Sequence, residues 1–223
     1  MSKYIKAVPG PKWSVIYTDR DGKRWKFDEG SRAWRNHNPG DLRPGEVSKR
    51  NGAIGVAGRF AIFPDYESGH AALLDSLKNV HGNQDIPSLM KAYAPPSENK
   101  TRAYIKFVRD MTGVKDNKKV RDFTAAEFEK LWRAIEQMEG WGKQHEGTIT
   151  PYRTKAKITA VRKDKKGTIQ AYRIEGYGWV SKSEGIKLTR QGKVDAVVVA
   201  SRGSVFLRAR PNHTIADNLE RKG

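Results

Sequence analysis

The stretch at residues 28–43, DEGSRAWRNHNPGDLR, is the part of the sequence around which the rest of the chain is organised. It has neither the 3.6-residue apolar period of a helix nor the two-residue period of a strand. Its segment NPGD has the chemistry of a tight turn, because proline fixes its own φ, glycine allows positive φ, and the flanking polar side chains bond to nearby backbone. A polar segment of this kind is typical of either a tightly hydrogen-bonded structural loop or a functional site.

The sequence on both sides of this stretch predicts regular structure. Before it, residues 13–27 (WSVIYTDRDGKRWKF) predict a β-hairpin, since apolar side chains alternate on either side of the turn pair Asp21-Gly22. After it, a short strand is expected to end at Pro64. Residues 65–140 then carry apolar stripes at helical spacing and predict about four helices. Asp65 is expected to cap the first helix, and Thr124 opens a capping box for the last.

The periodicity changes again near residue 148. The pattern beyond it predicts a compact β-β-α-β-β unit, with residues 141–153 as a linker. We therefore expect an α+β protein with a mainly helical first domain (residues 1–147) that begins with a hairpin, and a small basic second domain (residues 148–223).

Composition and charge limit the possible functions. The net charge is +18, and from residue 148 onward there are 17 lysines and arginines against 6 acids, so the field attracts polyanions such as nucleic acid or bacterial cell wall. No cysteine is present, which excludes disulfides, thiolate zinc sites and cysteine nucleophiles. The five histidines lack metal-ligand spacing, and there is no nucleotide-binding glycine motif. We expect neither a metal nor a cofactor.

The N-terminus and the apolar runs indicate where the protein acts. No apolar run approaches the roughly 18–20 residues that span a bilayer, and the N-terminal residues lack the apolar core of a Sec signal peptide. We therefore expect synthesis in the cytoplasm and no membrane span. A role outside the cytoplasm requires delivery by other machinery.

Carboxylates are the remaining candidates for catalysis, because a glycosidase needs a carboxylic acid to protonate the leaving oxygen. Glu29 opens the polar stretch among aromatic residues that can supply an apolar wall. Glu98 and Glu67 are alternatives, although each also fits an ordinary acid in the first turn of a helix. Glu139 lies on the apolar face of its helix, where an acid must be paired, desolvated or at a cleft edge. A salt bridge from Glu139 to an arginine of the stretch is the structural alternative.

Side chains of the stretch are candidates for substrate binding. Asn36, Asn38 and Asp41 can bind sugar hydroxyls or N-acetyl groups, and Arg43 can help to position a glycan. The same groups can equally bond to the backbone of their own loop.

The motifs SRAWRNHNPGDLR, GRFAIF and APPSEN in combination resemble a family of phage virion-associated proteins and type VI secretion effectors with lysozyme-like, cell-wall-degrading domains. The resemblance covers roughly residues 25–142. Where the family's pattern reads R-N-N-N-P-G-N, this sequence has His37 in place of the middle Asn and Asp41 in place of the last. The order of motifs is also similar to that of wall-cleaving glucosaminidases and lytic transglycosylases, and this similarity implies that Glu29 is the acid.

The C-terminal run ITAVR…VVVASR resembles a small bacterial domain of unknown function, which implies no activity. Together these observations predict a peptidoglycan-degrading lysozyme or lytic transglycosylase with catalytic carboxylates among Glu29, Glu98 and Glu139. The resemblance implies peptidoglycan as a partner, delivery to the periplasm or cell wall by phage or secretion machinery, and an immunity protein or a secretion or virion component as a further partner. The alternatives are a non-enzymatic wall-binding or virion structural protein, and a nucleic-acid-binding protein acting through the basic C-terminal domain.

Overall fold

The chain divides into two compact units, Met1–Tyr152 and Arg153–Gly223, in a computed structural model that describes residues 2–93, 101–201 and 203–209. Helices account for 38% of the structure and strands for 28%, and the strands form several small antiparallel sheets. The prediction of a mainly helical first domain is therefore wrong, whereas the small C-terminal sheet domain is consistent with the prediction. The boundary follows Tyr152 rather than residue 147, because Thr148–Pro151 pairs with a strand of the first unit.

The first unit combines strands and helices. Its strands are β1 (Tyr4–Pro9), β2 (Val15–Asp19), β3 (Arg24–Asp28), β4 (Gly55–Ala57), β5 (Phe60–Ile62) and β6 (Thr148–Pro151). Its helices are α1 (Arg32–Arg35), α2 (Glu46–Arg50), α3 (Tyr66–Asp75), α4 (Ile86–Tyr93), α5 (Thr101–Thr112) and α6 (Ala125–Met138). A π-helical turn, Ser76–Val80, continues α3.

A four-stranded antiparallel sheet, in the order β1-β2-β3-β6, forms one side of this unit. The predicted hairpin is confirmed as β2 and β3, in which Val15 pairs with Phe27 and Tyr17 pairs with Trp25. The two outer strands, β1 and β6, were not predicted from the sequence. All four residues of β6 are exposed, so the strand has no apolar alternation that the sequence can reveal.

The helices pack around a separate apolar core. Leu73, Leu89, Val108 and Leu131 are fully buried in it. The predicted caps of this region are confirmed: the Asp65 side chain accepts from the Ser68 backbone N–H at the start of α3, and Thr124 and Glu127 form a capping box at the start of α6. The helix α6 ends at Met138, which places Glu139 at its C-terminal cap.

Residues 28–43 join the sheet to the helices. Trp34 packs on Phe27 with ring centroids 5.2 Å apart, and the Tyr17 hydroxyl donates to the Arg35 carbonyl at 2.8 Å. On the helical side, a Cβ added at Gly69 of α3 would lie 1.9 Å from the His37 carbonyl oxygen. Only glycine permits so close an approach, so the stretch is packed tightly against α3.

Three residues of this stretch that are not glycine have left-handed backbone: Glu29 (φ 58°), His37 (φ 47°) and Asp41 (φ 47°). Asn, Asp and His tolerate this conformation better than other residues with a Cβ. His37 and Asp41 therefore occupy positions where the backbone favours residue types of this kind.

The second unit contains β7 (Ile158–Lys163), β8 (Ile169–Ile174), β9 (Gly178–Ser181), α7 (Lys182–Arg190), β10 (Ala196–Ser201) and β11 (Ser204–Ala209). The predicted β-β-α-β-β order omitted β9, which completes the three-stranded sheet β7-β8-β9. Strands β10 and β11 form a hairpin, and the buried Tyr172 hydroxyl accepts from the Leu207 backbone N–H at 2.7 Å. Tyr172 thereby joins the sheet to the hairpin.

Candidate active site

A cavity of about 320 Å³ opens beside residues 40–43 in the first unit. This volume is at the lower end of the range of ligand-binding clefts, about 300–1,000 Å³. Its lining is strongly polar and combines two carboxyls with three arginines and a histidine. The lining residues are Arg32, Gly40, Asp41, Leu42, Arg43, Arg59, Phe60, Ser76, His81, Ala92, Tyr93 and Glu139.

Glu139 is the acid of this cavity whose environment is most unusual. Its side chain is 16% exposed. Burial raises its pKa from 4.5 to about 8, and a hydrogen bond and charge repulsion from Asp41 add to the increase. The Tyr104 hydroxyl donates to the Glu139 carboxylate. This hydrogen bond and the positive charge of Arg32 lower the pKa of Glu139 and so offset part of the increase. Glu139 therefore holds a proton at neutral pH.

Asp41 is the acid that lies beside Glu139 and raises its pKa. Its side chain is 5% exposed, and its Oδ2 accepts from Arg32 through Nε at 3.0 Å and Nη2 at 2.6 Å. The second oxygen, Oδ1, is buried and accepts no hydrogen bond from the described side chains or backbone. The proton on Glu139 is a suitable donor for it, and a hydrogen bond to Asp41 raises the pKa of Glu139.

Arg32 holds this pair from one side. Its guanidinium lies over the Phe60 ring, 3.8 Å from the centroid, and its Nη2 lies 4.0 Å from Glu139 Oε2. The ring keeps the guanidinium in place while its N–H groups bond to Asp41. The structural alternative for Glu139 was a contact with an arginine of the stretch, and Arg32 lies at this position.

The predicted substrate-binding residues separate into two groups. Asp41 and Arg43 line the cavity with Glu139. Asn36 and Asn38 do not, because they are 2% and 0% exposed. Asn38 donates to the carbonyls of Leu42 (2.9 Å) and Ala61 (3.0 Å) and accepts from the Leu42 backbone N–H (2.9 Å). This burial disagrees with the predicted contact to a glycan, and Asn38 instead fixes the shape of the loop.

The other predicted acids lie elsewhere. Glu29 is exposed at the turn after β3, its backbone carbonyl accepts from Arg35 Nη1 at 2.8 Å, and it is not among the residues that line the cavity. Glu98 lies outside the described residues. Glu67 is exposed in the first turn of α3, as expected of an ordinary helix-start acid. Of the candidate catalytic acids that lie within the described residues, Glu139 is the one that lines the cavity.

Sequence reasoning missed Arg32, Tyr93 and Tyr104. The helical spacing of Tyr104 in α5 predicts only a core position, although a buried tyrosine hydroxyl needs a partner. The Tyr93 hydroxyl donates to the Gly40 carbonyl and so ties α4 to the loop.

A second buried acid, Glu136, lies one helical turn before Glu139. Its Oε1 is 2.8 Å from His70 Nδ1 and 3.1 Å from the Tyr66 hydroxyl, and the Tyr66 ring stacks on Trp141 with centroids 4.8 Å apart. These bonds tie α3 to α6, which supports the helix that carries Glu139.

Within the described residues, no group of three or more potential ligands is arranged to hold a metal ion. No helix in the same part of the chain is both long and apolar enough to cross a bilayer.

Comparison with known proteins concerns the second unit. Residues 157–222 match a family model described as "Protein of unknown function (DUF3892)". No lysozyme-like family model matches the chain. No curated protein and no solved structure matches it. The match covers less than a third of the chain and carries no activity, so the function of the first unit must be argued from its geometry.

Proposed function

We propose that the first unit cleaves the glycan strand of peptidoglycan and that Glu139 is the general acid. The observation that carries this proposal is a buried carboxyl with a pKa of about 8 in the wall of a polar cavity. A general acid must hold its proton at the working pH and still be able to release it, and a carboxyl with a raised pKa meets both needs. The resemblance of residues 25–142 to lysozyme-like wall-degrading domains supports the same substrate.

Glu139 replaces Glu29 as the proposed acid. The reason is environment: Glu29 is exposed, whereas Glu139 is desolvated and hydrogen-bonded. After Glu139 gives up its proton, Tyr104 and Arg32 stabilise the carboxylate that remains, because the Tyr104 hydroxyl bond and the Arg32 charge both favour the ionised form. The same two groups thus promote proton release.

The contact between Glu139 and Asp41 favours a mechanism with one acid. In glycosidases that use two carboxyls, the groups flank the scissile bond at about 5–9.5 Å from each other. Glu139 and Asp41 are hydrogen-bonded instead, which leaves no room for a sugar ring between them. Asp41 therefore acts as a positioning residue that raises the pKa of Glu139.

Transglycosylation needs only one catalytic carboxyl and is therefore compatible with the contact between Glu139 and Asp41. Glu139 donates its proton to the glycosidic oxygen, the bond from that oxygen to C1 of the muramic acid breaks, and the C6 hydroxyl oxygen of the same sugar bonds to C1. The Glu139 carboxylate then takes the C6 hydroxyl proton. The enzyme regains its starting state, and no water is consumed.

Charge also suits this substrate. Arg43 and Arg59 line the cavity, and guanidinium groups bind carboxylates such as those of the muramic acid and its peptide. Because the substrate lies outside the cytoplasmic membrane, the proposal includes delivery to the periplasm or wall by phage or secretion machinery. An immunity protein that covers the cavity fits the same setting.

Release of soluble muropeptides from purified sacculi tests the proposal. We expect wild type and Glu29→Gln to release fragments at similar rates, and Glu139→Gln to be slower by about 10²–10⁴-fold. Glu129→Gln, on the exposed side of the same helix, is the matched control.

Two results would overturn the proposal. Equal release by wild type and Glu139→Gln excludes Glu139 as the acid. If no variant releases fragments while all bind sacculi, the hydrogen-bonded groups around Glu139 have only a structural role in a non-enzymatic wall-binding protein.

A further inference from the structure

The outer face of the sheet β7-β8-β9 is the second surface with distinctive chemistry. On the inner face, Tyr172 and Ile174 of β8 are buried in the core that contains Leu188 of α7. Because side chains alternate along a strand, Ala171 and Arg173 of β8 point to the opposite side.

The strand register sets the composition of this outer face. Arg173 pairs with Ala160 on one side and Trp179 on the other, and Ala171 pairs with Arg162 and Ser181. Arg162 and Arg173 are exposed, and Trp179 is 45% exposed. The six outward positions thus carry two arginines, a tryptophan, two alanines and a serine, with no acid among them.

Arg162 reaches across the central strand to Trp179, with its guanidinium 4.5 Å from the indole centroid. The small side chain of Ala171 lies between the two outer strands and leaves this path open. The result is a flat platform in which a cation and an aromatic ring are in contact. Tyr177, 45% exposed, lies in the turn immediately before β9.

The acids at the ends of the sheet are engaged with backbone. Asp164 accepts from the N–H groups of Lys166 and Thr168 in the β7–β8 turn, both at 2.9 Å. Glu175 accepts from the Lys157 N–H at 3.1 Å. The exposed Lys163, Lys165 and Lys166 extend the positive charge at one end of the platform.

We propose that this face binds single-stranded nucleic acid, with a base stacked on Trp179 and phosphates on Arg162 and Arg173. A single strand exposes the flat faces of its bases, and aromatic residues beside cations on a sheet accommodate them without sequence preference. It also carries one negative charge per nucleotide, and the arginines and lysines of this platform can pair with these charges. A glycan strand carries fewer charges for the same length.

The proposal is independent of peptidoglycan cleavage, because it rests on residues of the second unit alone. Fluorescence anisotropy of a labelled oligothymidylate of about 15 nucleotides, titrated with the full-length protein at several salt concentrations, tests it. Trp179→Ala is expected to weaken binding on the order of tenfold with the salt dependence unchanged, because one stacked base is lost. Trp179→Phe keeps an aromatic ring and should restore most of the affinity.

Charge variants complete the test. Arg162→Ala with Arg173→Ala should reduce the slope of log K against log salt by about 1.4, the value for two phosphate contacts of a single strand. The matched control is Lys187→Ala with Arg190→Ala, since α7 packs on the inner side of the sheet. This control should change the slope less.

Three outcomes overturn the inference. In the first, Trp179→Ala binds as tightly as wild type. In the second, the two charge pairs have equal effects, which indicates non-specific attraction. In the third, the protein binds sacculi but not the oligonucleotide, which assigns this face to the cell wall.

Discussion

Replacing Glu139 with glutamine should separate stability from activity. A general acid held protonated by its surroundings stabilises the fold only while it keeps the proton. Folded Glu139 binds its proton up to a pH of about 8, whereas a carboxyl with the ordinary value of 4.5 has lost it well before. Between these pH values the folded state therefore binds more protons than the unfolded state, and rising pH favours unfolding.

The structure sets the size of the effect. The difference between 4.5 and about 8 corresponds to a ceiling of about 5 kcal/mol, at about 1.4 kcal/mol per pKa unit. This contribution is fully present below pH 4.5 and is lost as pH rises through about 8. Domains are stable by about 5–15 kcal/mol, so the loss is large enough to measure.

The Glu139→Gln variant has no titratable carboxyl proton at this position. Its amide can donate to the buried Asp41 Oδ1 in place of the Glu139 carboxyl proton. We expect the variant to gain stability relative to wild type by several kcal/mol between pH 5 and pH 9, although it loses activity. Urea unfolding of both proteins at pH 5, 7 and 9 gives this difference.

Glu129→Gln is the control for the same substitution on the same helix. Glu129 is exposed and pairs with Arg133 at 2.6 Å, an arrangement that contributes about 0.3–0.5 kcal/mol. If the stabilities of wild type and Glu139→Gln run parallel from pH 5 to pH 9, then Glu139 does not carry a raised pKa and the reasoning fails.

Three further predictions concern the surroundings of the acid. Asn38→Ala removes three hydrogen bonds of a buried side chain and should lower the free energy of unfolding by about 2–4 kcal/mol in urea; wild-type stability would contradict the scaffold role. Tyr104→Phe removes a donor that favours ionised Glu139, so the pKa of Glu139 in a ¹³C NMR titration should rise; an unchanged or lower value would contradict the assignment. Gly69→Ala places a Cβ 1.9 Å from the His37 carbonyl oxygen and should cost about 2 kcal/mol or more in thermal unfolding; wild-type stability would contradict the close approach of the stretch to α3.

Features that depend on residues close together in the sequence were predictable. The hairpin β2–β3 and the caps at Asp65 and Thr124 were predicted and are present. Strand β6 was not, because its residues are all exposed and its partner β3 lies more than a hundred residues earlier.

The candidate site was predictable only in part. An acid on the apolar face of α6 indicated Glu139, but its Tyr104 and Asp41 partners belong to other elements. Asn38 has the residue type of a sugar ligand, yet burial makes it part of the loop scaffold. Residue type suggested the chemistry, whereas burial and long-range contacts decided which side chains face the cavity.

The products formed from purified sacculi test the central claim most directly. Mass spectrometry should find muropeptides that end in 1,6-anhydromuramic acid with wild type, and none above background with Glu139→Gln. Products heavier by one water would contradict the one-acid mechanism. Anhydro products from Glu139→Gln at the wild-type rate would contradict the assignment of Glu139 as the acid.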